Sequence, residues 1–388
     1  VGLDGEPVTI CSNGDGGHEL LIVSIGNGYI LDTASHVLTL AVSDITMGGQ
    51  LDGFFVGLDA DSSTLKISES LDGLTWDAGQ IAQRTGASDP WRAMLVWRGE
   101  IFLIGEYTGE AWFNRGLATF PFAQRGGAAF DVGIDARRSL APFASGPAWL
   151  GRSGRGSTGS VYMMNGYTPV RISNDAVDWA IAGYAAAGQI SDAVGWSYEQ
   201  LGHVFYVLTF PSAGVAWVYD SSTNQWHERA RWDTSVGDWA AYRPRYAVEA
   251  FGRLLVCDSE AGKVYSLSPT VYTDVGGAML RRVRRSPHLS LEHRPLIIDY
   301  FELECERGVG LTSGQGLDPQ VGLRVSRDGG RTWGNERSRS LGKMGEYQTR
   351  VRWDRCGLAR DAVFEVSVTD PVFFGCSNAY LGLRGAGA

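Results

Sequence analysis

The sequence predicts an all-β protein, a β-propeller-like domain over residues 1–285 followed by a smaller β-sandwich-like unit over 286–388. Three observations carry this: a composition built for tight turns, many short strand signals, and a loose repeat with the period of a propeller blade. The chain has 388 residues, with 52 Gly and 13 Trp, and hydrophobic residues make up 44% against 20% charged. Gly at about twice its usual share supplies turns, and aromatics fill the space between packed sheets. A helical bundle would be rich in Ala, Glu, Lys and Leu instead.

Strand signals recur along the chain. Glu19–Ile25, Tyr29–Asp32, Gly53–Leu58, Met94–Trp97, Glu100–Ile104, Val204–Phe210, Val215–Tyr219 and Arg253–Cys257 are each β-branched or aromatic and bounded by turn formers. One helix is predicted, over Ser173–Tyr184, with Ser173 or Asn174 as N-cap and Val177, Ile181 and Tyr184 on one face.

The repeat is read as a strand with an aromatic near its end that feeds a polar turn. It is seen at 28–32 (GYILD), 65–70 (LKISES), 110–114 (EAWFN), 161–165 (VYMMN), 217–221 (WVYDS) and 263–267 (KVYSL). A spacing of roughly 40 to 55 residues is close to the span of one four-stranded blade. The segment Val218–Glu228 (VYDSSTNQWHE) reads as the outer hairpin of a kelch-type blade, its Asp and Thr making the turn and Trp226 packing back between blades.

Composition shifts at Arg281–Pro287 (RRVRRSP). Beyond it, Leu296–Cys305, a Gly-rich loop over Gly308–Gly316 and four more strand-like runs predict a second β unit, either a small sandwich or the closing blade. The chain begins at Val1 rather than Met, so a preceding N-terminal portion is expected.

Within the second unit, Ser326–Trp333 (SRDGGRTW) matches the Asp-box pattern SxDxGxTW. The pattern, with Ser326, Asp328, Gly330 and Trp333 as its fixed letters, is a hairpin turn in which Asp328 accepts backbone N–H bonds, Gly329 and Gly330 allow positive φ, and Trp333 is expected to bury beneath the loop. Ser70–Trp76 (SLDGLTW) is a shorter relative. Because sialidases carry such boxes, a propeller glycosidase or sialidase-like carbohydrate-binding protein is one alternative. A kelch-like interaction module is another. The box is structural, however, and no local signature marks the arginine triad, Tyr nucleophile and acid that sialidase chemistry needs.

No other catalytic set emerges. The His residues show no metal-ligand or triad context, and five scattered cysteines form no CxxC, so reduced and mostly buried thiols are expected. Gly151–Gly159 (GRSGRGSTG) lacks the phosphate-loop pattern and reads as a loop between strands. No catalytic residue, metal or cofactor is expected, and no apolar run has the length of a membrane span.

The formal charge is −9. That balance argues against tight binding of nucleic acid over a large surface. It is compatible with a lumen through which DNA slides. Arg281, Arg282, Arg284 and Arg285 form the one dense basic cluster. They read either as a solvated inter-domain loop or as a contact for DNA phosphate or a partner carboxylate. Trp91, Trp97 and Trp239 are candidate interface anchors, although buried blade positions explain them equally well.

Several stretches in order resemble the tail hub and nozzle proteins of short-tailed bacteriophages, the packaged-DNA stabilisation family. They are Gly109–Gly116 (GEAWFNRG), Phe120–Phe122, Gly126–Ala128, Asp131–Gly133, Ala148–Gly151, Val161–Tyr162, Gly166–Pro169, Arg171–Ser173, and the run 326–372 ending in VFEVSVTDPV. The piece most like the family's N-terminus is expected to be absent or shortened. The resemblance implies a propeller subunit in a homo-hexameric ring of the virion tail, assembled in the host bacterial cytoplasm. It also implies portal and adaptor proteins as neighbours, docked fibres, spikes or a needle, and transient, sequence-independent contact with double-stranded DNA.

Overall fold

The computed structural model describes residues 8–60, 62–84, 86–154, 159–292 and 294–385. It divides into two compact units, 1–230 with 241–267, and 231–240 with 268–388.

The first unit contains six antiparallel sheets among its described residues, each a simple meander. Blade 1 is β1 (Thr9–Ser12), β2 (Glu19–Ser24), β3 (Asn27–Asp32) and β4 (Leu38–Ser43). Blade 2 is β5 (Met47–Leu51), β6 (Phe54–Asp59), β7 (Thr64–Ile67) and β8 (Ile81–Gln83). Blade 3 is β9 (Trp91–Trp97), β10 (Glu100–Gly105), β11 (Gly109–Asn114) and β12 (Phe122–Phe130). Blade 4 is β13 (Gly133–Ile134), β14 (Ala148–Arg152), β15 (Ser160–Asn165) and β16 (Thr168–Arg171), followed by helix α1 (Asp175–Ala186). Blade 5 is β17 (Val194–Gln200), β18 (His203–Phe210), β19 (Val215–Asp220) and β20 (Gln225–Arg229). After a hairpin of β21 (Arg231–Asp233) and β22 (Asp238–Ala240), blade 6 is β23 (Pro244–Ala250), β24 (Arg253–Asp258) and β25 (Val264–Ser266).

All the strands expected from the sequence form. The six members of the loose repeat fall on β3, β7, β11, β15, β19 and β25, the third strand of each blade. The first strands are neighbours, β1 beside β5, β5 beside β9, and β17 beside β23. Crowding there selects glycine. A Cβ on Gly48 or Gly49 of β5 would lie 2.7 Å from Val23 or 2.6 Å from Val96, so side chains of blades 1 and 3 press on both faces of β5.

The core of this unit lies between blades, as stacked sheets require. Leu21, Val23, Ile30, Ile45 and Phe55 fill the space between blades 1 and 2. Trp91, Phe102, Phe130 and Trp149 belong to the cluster spanning blades 2 to 4. Phe143, Leu150, Tyr206 and Phe210 form the next with Val177 and Ile181 of α1. The helix starts as expected, with Asn174 Oδ1 accepting the Val177 N–H at 3.0 Å.

Trp91 is therefore not an interface anchor. It is completely buried and donates its indole N–H to Glu110 Oε1 at 2.8 Å. Trp97 is half-buried, and Trp239 is exposed and stands edge-on to Trp232.

Besides the β21–β22 hairpin, the second unit holds two larger sheets among its described residues, β26 (Arg282–Arg285) with β31 (Val363–Val368), β28 (Gln320–Ser326) and β29 (Arg337–Ser340), and β30 (Arg352–Ala359) with β27 (Leu296–Cys305) and β32 (Cys376–Gly385). Their facing sides share one core, in which Phe301 stacks on Phe364 at 4.9 Å and leans on Trp353 at 5.8 Å. It is a β-sandwich, not a closing blade.

The division between units lies at 267/268 rather than 285/286, because β26 pairs along its length with β31 and so belongs to the sandwich. The β21–β22 hairpin groups with this unit as well.

Candidate functional site: the arginine strand and the Asp-box turn

The arginine cluster is an edge strand of the sandwich, not a solvated inter-domain loop. Strand alternation sends its side chains to opposite faces, and most of them have work inside the unit. Arg281 stacks over Trp232 at 4.4 Å. Arg282 donates to the carbonyls of Val372 (2.7 Å) and Asp370 (2.6 Å). Burial lowers its affinity for the proton, against the pull of Tyr272 and Asp370. Arg285 donates to Glu365 Oε2 at 2.7 Å. Arg284 alone of the four points to solvent without a hydrogen-bonded partner, near the Cys376 thiol. The four guanidinia thus do not form one phosphate fork.

Glu365 explains the local order. Its side chain is buried and bonds Arg285 on one side and Arg324 on the other. Burial pushes the carboxyl up, but the two guanidinia outweigh it and hold the group below its ordinary range. Trp333 lies within 5.3 Å of Arg285 and 5.4 Å of Arg324, so the Asp-box tryptophan is half-buried beneath cations rather than enclosed by its own loop. Arg324 and Glu365 went unnoticed in the sequence, where the sign was a lone carboxylate in the apolar run VFEVSV.

The turn itself forms as the pattern requires. Ser326 Oγ donates to Asp328 Oδ1 at 2.7 Å and accepts the Gly330 N–H at 2.8 Å. Asp328 accepts the Thr332 hydroxyl at 2.6 Å and the N–H groups of Thr332 and Arg331 at 2.9 and 3.1 Å. These bonds, the Thr332 hydroxyl foremost, hold its carboxyl far below the usual range. Gly329 and Gly330 have φ of 70° and 87°. The hydrogen bonds of the box close its own loop, as a structural turn requires.

The shorter box in blade 2 works the same way. Asp72 accepts the Thr75 hydroxyl at 2.8 Å, and Trp76 donates to Gly73 O at 2.7 Å. Its Gly73 N–H reaches Glu19 of blade 1 at 2.7 Å, so this box also ties two blades together.

Equivalent ties run onward. Arg84, after β8, donates to Asp89 O (2.6 Å) and Thr108 Oγ1 (2.5 Å) of blade 3. Tyr167 of blade 4 donates to Glu100 of blade 3 at 2.7 Å. Trp226 of blade 5 donates to Ile172 O of blade 4 at 2.8 Å, as the kelch-like hairpin predicts. In that hairpin Asp220 accepts the Ser222 N–H and the Thr223 hydroxyl.

Tyr167–Glu100 is one of two tyrosine–glutamate hydrogen bonds among the described residues, Tyr380–Glu304 being the other. Arg125 is the guanidinium that joins the first, and the Tyr167 hydroxyl is raised above its ordinary range by burial and by Glu100. Among the described residues no group of three or more His, Cys, Asp or Glu is placed to hold a metal, and no helix is long and apolar enough to cross a membrane. Residues 155–158 of the Gly151–Gly159 loop and His293 lie outside the described residues.

No curated protein matches the chain. Among solved structures it is similar to an auxiliary nutrient binding protein from Bacteroides thetaiotaomicron (9% identity, 67% of this chain and 68% of that one, TM-score 0.41). It is also similar to BamB from Moraxella catarrhalis (10% identity, 67% and 68%, TM-score 0.38). An exo-β-1,3-galactanase from Phanerochaete chrysosporium matches at 8% identity over 98% and 96%, with TM-score 0.32. Likenesses this distant carry no functional argument. The family models are decisive: that for the β-propeller of bacteriophage P22 Gp10 matches residues 14–272, and that for its β-sandwich matches 281–383. With both units matched in order, the chain belongs to the P22 Gp10 family of bacteriophage tail proteins, which stabilise packaged DNA.

Proposed function

We propose that this chain is one subunit of a homo-hexameric hub or nozzle that extends the channel of a short phage tail, retains the packaged genome and conducts it at ejection. The ring sits against portal and adaptor proteins, docks fibres, spikes or a needle, and assembles in the host bacterial cytoplasm. It works without catalytic residues or an obligatory cofactor. The observation that carries this reading is the match of both units, in order, to one tail-protein family.

The physical character of the chain supports it. A conduit under pressure needs rigid modules, and hydrogen bonds join blades 1 through 5 in succession. A formal charge of −9 favours passage of DNA over capture. Ring subunits meet head to tail and close by rotation.

Mass photometry of the purified chain is the test. Six copies of the 42.0 kDa chain give a particle of about 250 kDa, with no turnover of a fluorogenic sialoside. A species that stays monomeric at all concentrations, or that hydrolyses the sialoside, contradicts the reading.

A further inference from the structure

We propose that Cys305 and Cys376 are a redox-closable pair, and that oxidation joins them in a disulfide which fastens the C-terminal strand β32 to β27. The two residues are direct cross-strand partners in the antiparallel β27–β32 ladder. Such partners have Cα atoms about 4.5 or 5.5 Å apart, and both spacings suit a disulfide. The ladder skips Ser377 between the Glu304–Asn378 and Cys305–Cys376 pairs. Bulges of this kind re-aim side chains. Both cysteines line one cleft of about 520 Å³ with Glu304, Glu306, Arg307 and Phe373, and each thiol lies within electrostatic reach of cationic side chains.

In the structure both are free thiols. Burial pushes the Cys305 thiol up to about 11 and raises Cys376 too, while Arg307 and Arg284 pull the other way. Cys356 is no competitor, being buried in the sandwich core, where it accepts from Arg337 at 3.2 Å and donates to Trp353 O. Cys11 and Cys257 belong to the other unit.

The reaction is thiol–disulfide exchange with a low-molecular-weight disulfide such as oxidised glutathione. The more exposed Cys376, as thiolate, attacks one sulfur of the reagent and releases one thiol. Cys305, as thiolate, then displaces the second thiol and closes the Cys305–Cys376 bond. The protein loses two protons and two electrons, and the reagent is reduced to two thiols.

The bond would act on an edge of the sandwich. β32 is a ten-residue edge strand, mostly exposed, and pairs only with β27. Edge strands of this kind are prone to open and to pair with other chains. Closing the bond at its first residue holds the strand in register. That oxidation accompanies departure from the reducing cytoplasm rests on the tail-protein reading, whereas the bond itself does not.

The test uses the full purified chain, equilibrated with either oxidised glutathione or dithiothreitol, alkylated with iodoacetamide and mapped by peptide mass spectrometry. The expected result after oxidation is one cross-linked pair of peptides, carrying Cys305 and Cys376 and two hydrogens lighter than their sum. Oxidation should also slow amide hydrogen exchange over 378–384. In Cys305→Ser, Cys376 should stop at the mixed glutathione disulfide. Alkylation of both residues after oxidation of the wild-type chain, or linkage of either to another cysteine, overturns the proposal. A chain that closes this bond yet never forms a ring contradicts the hexamer alone, and an open pair in a six-membered ring contradicts the disulfide alone.

Discussion

Glu365 shows how much one side chain can decide. A buried carboxylate between two arginines fixes where Arg285 and Arg324 point and brings Trp333 beneath them. Breaking a fully buried ion pair costs about 3–5 kcal/mol. Arg285 is largely exposed and screened by solvent, so Glu365→Gln should destabilise the sandwich by about 2–3 kcal/mol in denaturant titrations. The folded carboxyl titrates below its unfolded value, about 4.3. Its contribution is therefore present above that pH and is lost as pH falls through the lower folded value, and the Gln variant should lack this acid limb. Arg284→Ser, by contrast, should change stability by less than about 0.5 kcal/mol. Equal losses from the two substitutions would contradict the division of roles within the arginine strand.

At the scale of elements, the third strand of every blade was legible in the sequence because it joins a half-buried aromatic or aliphatic run to a polar turn. Of the first strands only β9 was, through Met94–Trp97. β5 (MGGQL) and the two-residue β13 owe their conformation to close packing against neighbours, and glycine carries no strand propensity of its own. The Asp-box turn was legible because its bonds are local. The surroundings of Trp333 were not, since Arg285 comes from 48 positions earlier in the chain. The single helix was legible through its cap, and the cap makes it testable. Asn174→Ala removes the acceptor of the Val177 N–H, and loss of such a cap costs about 1 kcal/mol. The expected result is faster hydrogen exchange across 175–186 with the blades unaffected.

For the whole molecule, the propeller and the sandwich are separate solutions to the same problem of hiding sheet faces. The propeller stacks sheets with a core between each neighbouring pair, and the sandwich closes two sheets on one core. The basic cluster misled the eye about where one ends, because a run of arginines resembles a linker until β26 is seen paired with β31. On the proposed function, six such chains encircle the DNA path of a phage tail. Electron imaging of intact particles with symmetry-free averaging of the tail tests it most directly. A six-membered ring of propeller subunits around the channel below the portal is expected, whereas a single copy, or a chain lying outside the channel, would contradict the proposed function.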